Sequence, residues 1–493
     1  MSKLNRDILY LIFEELQNNS KFLFSCLMVN RIWCETVIPI LWRNPWYYAI
    51  NYHKKSSLYS ILTSYLSNDI KEFLTKKEIK ISNQSLAFDY LSFCRSIDIK
   101  IIDDIISVGS PLEYNRFLLQ EEIYSLLIKK CPEIKYLKIR GIYEIVYLSE
   151  EKFCLESLCE LTCDTLINPR YFYRLAHICQ RIQRIIIINK NLVKVNNGTT
   201  KLIEFQKNLK YFKWVDDFNE DSYWELFEDP YAEIFNVLKK HANTLNHFDI
   251  NLRYEYEDYS DYYDIYNECN YAFLQYTLLE LHNLKILEIN SPIFLNNDDF
   301  NKKLEMVAYR NLEILEISFI HHIYQITCMV KNSLCLKELR VIAFHWNYGN
   351  IYNDSLNFIR TIYENCLLIE YLTIPMFPLL ENHFIEFKKL LKKCQNLRYL
   401  YFKEIYYEKW DDLEYGDYLS STLIKEASTN LKKIGIPHGI KFSLETLKAF
   451  FEKWKGRPAI SIYLVDFHSY QTNSYMKLIN KAKIEGVIKY INV

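Results

Sequence analysis

The sequence predicts an α/β solenoid, with parallel strands on a concave side and helices outside, preceded by a small three-helix unit. Three observations predict it. A six-residue pattern, apolar-x-x-apolar-x-apolar, returns more than ten times along the 493 residues. The segments between its copies carry apolar residues at helical spacing. The opening segment lacks the pattern and reads as three short amphipathic helices.

In the opening segment, Ile8, Leu9, Ile12, Phe13 and Leu16 make one apolar helical face, with Asn5 placed to cap it. Ser20 is placed to cap a second helix carrying Leu23, Leu27, Val29 and Trp33. A third short apolar element holds Val37, Ile40, Leu41 and Trp42. So small a unit buries too little surface to stand alone, and its apolar face calls for a partner, either the first repeat or another protein. The expected organisation is the helical unit over 1–46, a helical linker or cap over 47–90, and the repeat array over 91–493.

The repeating pattern appears as Ile134/Leu137/Ile139, Ile182/Ile185/Ile187, Leu209/Phe212/Trp214, Leu245/Phe248/Ile250 and Leu284/Leu287/Ile289. It continues as Leu312/Leu315/Ile317, Leu336/Leu339/Val341, Ile369/Leu372/Ile374, Leu397/Leu400/Phe402 and Leu431/Ile434/Ile436. Weaker copies are Cys94/Ile97/Ile99, Leu158/Leu161/Cys163, Ala459/Ile462/Leu464 and Ile488/Ile491/Val493. From Leu137 onward the middle positions are 24 to 39 residues apart, which suits one strand and one helix per unit. This is the signature of a leucine-rich-repeat solenoid: one such unit cannot bury its apolar face, but a stack shares a continuous core. Between the copies, Leu356, Ile359, Ile362 and Tyr363 fall at helical spacing with Asp354 as a possible cap, and so do Phe384, Phe387, Leu390 and Leu391.

Along each strand the pattern residues point into the core and the alternating ones onto the concave sheet. That assigns Tyr136, Lys138 and Arg140 to one strand, Glu288 and Glu316 to two middle strands, Tyr371 and Thr373 to another, and Tyr399, Tyr401 and Lys403 to a later one. Tyrosine and arginine are over-represented among residues that dominate binding energies, so this face is the expected substrate surface rather than the convex helices. Two acidic, tyrosine-rich insertions, near 254–271 and 404–418, read either as rim loops for a basic partner or as solvated insertions.

Composition narrows the functions. Sixty basic and 61 acidic side chains give a formal net charge of −1, so bulk charge predicts neither a nucleic-acid nor a membrane-surface partner. Nine glycines form no phosphate-binding fingerprint, and no cofactor is expected. Thirteen cysteines form no close C-x-x-C pair for a metal. Cys131, Cys179, Cys366 and Cys394 each stand three residues before a strand pattern and read as buried, reduced packing residues. No signal peptide or membrane span is visible, which predicts a cytoplasmic or nuclear chain. His321-His322 has no carboxylate at a metal-ligand spacing, and Asn197-Gly198-Thr199 matches a glycosylation acceptor that a cytosolic chain would never present. No catalytic residue is expected.

The segment from Leu4 to Arg43 resembles an F-box, whose pattern is roughly L-P-x-E-I-L-x-x-I-F-x-x-L, then L-x-x-V-C-[RK]-x-W, then L-W. The matching positions are Leu4, Ile8, Leu9, Ile12, Phe13, Leu16, Val29, Arg31, Trp33, Leu41 and Trp42. Asp7, Asn5 and Asn30 depart from the usual Glu, Pro and Cys; the missing proline removes a residue that pre-organises the first turn. With its repeats, the chain is similar to F-box/leucine-rich-repeat proteins, the substrate receptors of SCF-type cullin–RING ubiquitin ligases. The resemblance implies that Leu4, Ile8, Leu9, Ile12, Phe13, Leu16, Val29, Trp33, Leu41 and Trp42 serve a Skp-family adaptor while the repeats hold a protein substrate. It implies no chemistry by the receptor itself. The alternative is a repeat scaffold unconnected with ubiquitin, whose first helices only cap the array.

Overall fold

The structure, a computed structural model, describes residues 5–17, 19–47, 52–109, 113–141, 155–190, 196–217, 231–252, 272–291, 298–320, 322–344, 351–404, 412–465 and 467–492. They fall into two compact units, Met1–Tyr211 with Val215–Val237, and Phe212–Trp214 with Leu238–Val493.

The first unit opens with three helices, α1 (Arg6–Glu15), α2 (Ser20–Leu27) and α3 (Arg31–Arg43). Asn5 occupies the N-cap of α1 but makes no side-chain cap bond. Asn19, not Ser20, caps α2 by accepting from Phe22 N at 3.4 Å. Asn30 accepts from Trp33 N at 3.0 Å and so starts α3. Because Asn30 offers that cap, α2 ends at Leu27; Val29 lies in the turn, and Trp33 joins Val37, Ile40, Leu41 and Trp42 on a single third helix. Two further helices, Tyr52–Ser64 and Asn68–Lys76, lie within 47–90.

The strands of this unit are β1 (Ser96–Asp98), β2 (Tyr136–Lys138), β3 (Glu160–Asp164) and β4 (Arg184–Asn189), with β5 (Tyr211–Asp216) divided between the units. β1 to β4 pair in parallel and in chain order, and the middle residues of the sequence pattern face one another: Ile97↔Leu137↔Leu161↔Ile185. Ile99 departs from its predicted place and begins the helix Ile99–Ile106, because Asp98 caps it by accepting from Ile101 N.

The second unit carries β6 (His247–Asn251), β7 (Ile286–Asn290), β8 (Ile314–Ile320), β9 (Glu338–Phe344), β10 (Tyr371–Pro375), β11 (Tyr399–Lys403), β12 (Lys433–Ile436), β13 (Ile460–Leu464) and β14 (Ile488–Ile491). They too are parallel and consecutive. The middle residues form one row, Phe248↔Leu287↔Leu315↔Leu339↔Leu372↔Leu400↔Ile434↔Ile462↔Ile491. All of them are buried. A helix follows most strands, and each buries one stripe; in Glu381–Lys393 the stripe is Phe384, Phe387, Leu390 and Leu391. Asp354 lies inside the first turn of Ile351–Asn365 rather than at its cap, since the helix begins three residues earlier. The fold is the predicted α/β leucine-rich-repeat solenoid.

Cys131, Cys179, Cys366 and Cys394 are all buried and outside any disulfide, each directly after a helix. The Cys179 thiol donates to Leu155 O at 3.2 Å, so the recurrent cysteine ties one helix end to the preceding repeat. The insertion 254–271 lies outside the described residues. Of 404–418, residues 405–411 also lie outside them, and the remainder corrects the loop reading. Asp412–Glu426 is a helix, because Tyr415 inserts its ring among Phe377 and Phe384.

Candidate functional site

The ten residues expected to serve an adaptor divide by burial. Leu9, Phe13, Leu41 and Trp42 are buried and form the core of the helical unit with Leu23, Val37 and Ile40. Leu16 and Trp33 pack partly buried against that core, the Trp33 ring edge-on to Phe13 at 5.2 Å. Ile8, Ile12 and Val29 remain exposed. Leu4 lies outside the described residues. A surface reading must therefore drop the core residues and add Leu11, Phe22, Met28 and Ile32, which sequence reasoning missed; Leu11 is 66% and Met28 86% exposed. The missing signal is one of helical phase. Leu9, Phe13 and Leu16 make one stripe on α1, whereas Ile8, Leu11 and Ile12 make a second beside it.

The helical unit is anchored by polar contacts as well. Arg43 donates to both Glu14 carboxylate oxygens, at 2.5 and 3.1 Å, and to Tyr10 Oη at 2.8 Å. The Arg43 bonds hold the Glu14 carboxyl below its ordinary value. On the far side Trp42 packs on Tyr90, and Trp46 Nε1 donates to Ser96 O of β1 at 2.8 Å. These helices thus cover the first strand and still present an apolar surface.

On the sheets, alternation places the predicted residues opposite the core. Tyr136 is exposed; Lys138 is half-buried, its Nζ 3.1 Å from Asp98, and Arg140 lies beyond the end of β2. In the second unit Glu288 and Glu316 stand side by side in register, with Asp249 and Arg340 on either side of them. Burial raises the Glu288 pKa, helped by the neighbouring Asp249 carboxylate. Lys213 Nζ sits 2.6 Å from Asp249. His247, Asp249 and Glu288 bring one ligand atom each within 4.8 Å of one another, but the Lys213 ammonium supplies positive charge there.

Beyond Arg340 the face turns aromatic. The Arg340 guanidinium lies 4.7 Å from the centre of the Tyr371 ring. Tyr371 stacks on Tyr401 at 5.1 Å and 20°, and burial pushes the Tyr401 pKa up to about 12. Tyr401 leans toward Tyr463, and Tyr463 meets Tyr490 at 5.4 Å. Lys433 sits between two rings, 5.3 Å from Tyr399 and 5.8 Å from Tyr463. Lys403 is half-buried at the end of β11, and Thr373, on the same face, is only 2% exposed. Tyr463, Tyr490 and Lys433 were not among the predicted residues. Tyr463 and Tyr490 lie on strands with weaker copies of the pattern, yet the same alternation from Ile462 and Ile434 would have placed Tyr463 and Lys433 on this face. No helix among the described residues is long and apolar enough to cross a membrane.

No family model matches the chain, and no curated protein matches it. Among solved structures, it is similar to the Rad7 and Elc1 complex in yeast, at 12% identity and a TM-score of 0.41 over 98% of this chain and 92% of that one. It is also similar to a TLR13–ssRNA13 complex, at 13% identity and a TM-score of 0.33 over 74% of this chain and 44% of that one. Likenesses this distant carry no argument about activity, and the assignment to the α/β leucine-rich-repeat class rests on the chain's own strand register and repeated core.

Proposed function

We propose that the chain is the substrate-receptor subunit of an SCF-type ubiquitin ligase, binding a Skp-family adaptor through α1–α3 and a protein substrate through the sheet face. In this reading it performs no chemistry of its own and serves a cullin-based complex in the cytoplasm or nucleus. The observation that carries it is the exposed apolar set Ile8, Leu11, Ile12, Phe22, Met28, Val29 and Ile32 on a helical unit whose own core is already closed. Apolar surface left open on a unit whose core is already closed is costly in water unless a partner covers it. The F-box-like spacing of the same segment supports an adaptor as that partner. Co-purification of the full chain with a Skp-family adaptor tests the proposal. Capture that is lost on replacing Ile8, Leu11 and Ile12 by aspartate supports it, provided the circular dichroism melt is retained. Failure of the wild-type chain to retain any such adaptor would leave the repeat-scaffold reading in its place.

A further inference from the structure

We propose that the tyrosine-rich end of the second unit's sheet face binds an extended acidic segment of a partner protein, seating one of its carboxylates on Lys433. The inference deepens the substrate half of the proposed function and rests on that reading for its biological setting, though not for its chemistry.

The anion site is Lys433. Its ammonium lies between the Tyr399 and Tyr463 rings, and it makes no ion pair with a carboxylate among the described residues. The contrast is with Arg340 on the same face, whose guanidinium is engaged by Glu338 at 2.5 Å and Glu316 at 3.6 Å. A cation held by ring faces and left without a counter-charge attracts an anion. Among the described strand residues of this face, the carboxylates Asp249, Glu288, Glu316 and Glu338 lie on β6 to β9, so charge would steer an acidic segment toward β11 to β13.

The ring site is the Tyr371–Tyr401 stack. Tyr401 is held over Gly435, where the absence of a side chain makes room for its ring. With Arg340 over Tyr371 and Gly435 against Tyr401, the faces of the pair are taken, so it offers a docking segment the edges of its half-buried rings as an apolar wall beside Lys433. The two sites are one to two strands apart, about 5–10 Å. An extended segment advances roughly 3.2–3.4 Å per residue, so side chains two or three residues from the carboxylate reach the ring edges.

The test uses the full chain and short fluorescent peptides of one background sequence. The first carries Asp, the second Asn and the third Lys at one position, and fluorescence anisotropy reads binding. The acidic peptide is expected to bind roughly tenfold or more tighter than the neutral one, which is the scale of a single charge-assisted contact. Lys433→Glu should abolish that preference, and Tyr401→Ala should weaken binding of the acidic and neutral peptides alike. Lys303→Glu, on the helix Asp298–Leu304, should change nothing. Equal binding of the three peptides, preference for the lysine peptide, or an unchanged preference in Lys433→Glu would overturn the inference, as would tighter binding of a single-stranded oligonucleotide. Adaptor co-purification is read in parallel on the same variants. An adaptor that is never captured while the acidic preference holds would remove the ligase reading and leave the peptide site standing.

Discussion

Tyr401 lays its ring over Gly435 of the next strand, in the space that a β-carbon on that residue would occupy. Gly435→Ala must therefore push the ring aside, and overpacking of this kind costs about 1–3 kcal/mol. In the Tyr401→Ala background the same alanine meets no ring, so its cost should largely vanish. Urea midpoints of the four proteins measure the coupling. Additive losses would show that the ring does not need the glycine.

Ile8 and Leu9 are neighbours in sequence with opposite tasks. Leu9 is 2% exposed in the helical core, and Leu9→Ala should destabilise that unit by about 2–5 kcal/mol. Ile8→Ala changes an exposed side chain and should stay within about 0.5 kcal/mol of wild type. Under the ligase reading it should nonetheless weaken adaptor capture. A melt of each variant beside a quantitative pull-down separates the two roles; equal destabilisation by both would contradict the burial difference.

Glu14 and Arg43 make the helical unit sensitive to acid. The Glu14 carboxyl is lowered chiefly by the Arg43 hydrogen bonds. A lowered carboxylate contributes stability that is complete above its ordinary value and is lost as pH falls through the lowered one. Glu14→Gln should therefore flatten the acid limb of the unit's stability profile while leaving its slope near neutrality unchanged. Denaturant midpoints across the acid range provide the check.

The buried cysteines should resist both labelling and replacement. Burial pushes the thiols of Cys366 and Cys394 up to about 12, so little thiolate is present at neutral pH. Serine at either position should cost about 1–3 kcal/mol through burial of a more polar group. Among the described cysteines, native-state thiol labelling should instead go first to Cys335, which is exposed. Labelling of Cys366 at the rate of Cys335 would show that the helix-to-strand corner opens readily.

What the sequence revealed follows from which signals are periodic. The pattern residues from Ile97 to Ile491 could be aligned without coordinates because burial on one face of a short strand repeats at fixed spacing. Cap identity was less legible. Asn19 and Ser20 are adjacent, both residue types cap helices well, and only backbone geometry selects Asn19. The adaptor surface was half legible, because a matching motif mixes residues such as Phe13 that close the unit with residues such as Ile12 that face outward. Contacts between rings were the least legible. Nothing in the spacing of Tyr371, Tyr401 and Tyr463 says that a glycine on the intervening strand lets one ring recline.

The row that joins Leu287 to Leu315 and Leu315 to Leu339 has a consequence for biosynthesis. Each of those partners is only 28 and then 24 residues further along the chain. A strand leaving the ribosome therefore waits for one more repeat, not for the whole polypeptide, before its edge and its apolar side are covered. Translation at roughly 5–20 residues per second shortens that wait to a few seconds. The growing end can then settle vectorially, with each completed repeat serving as the template for the next.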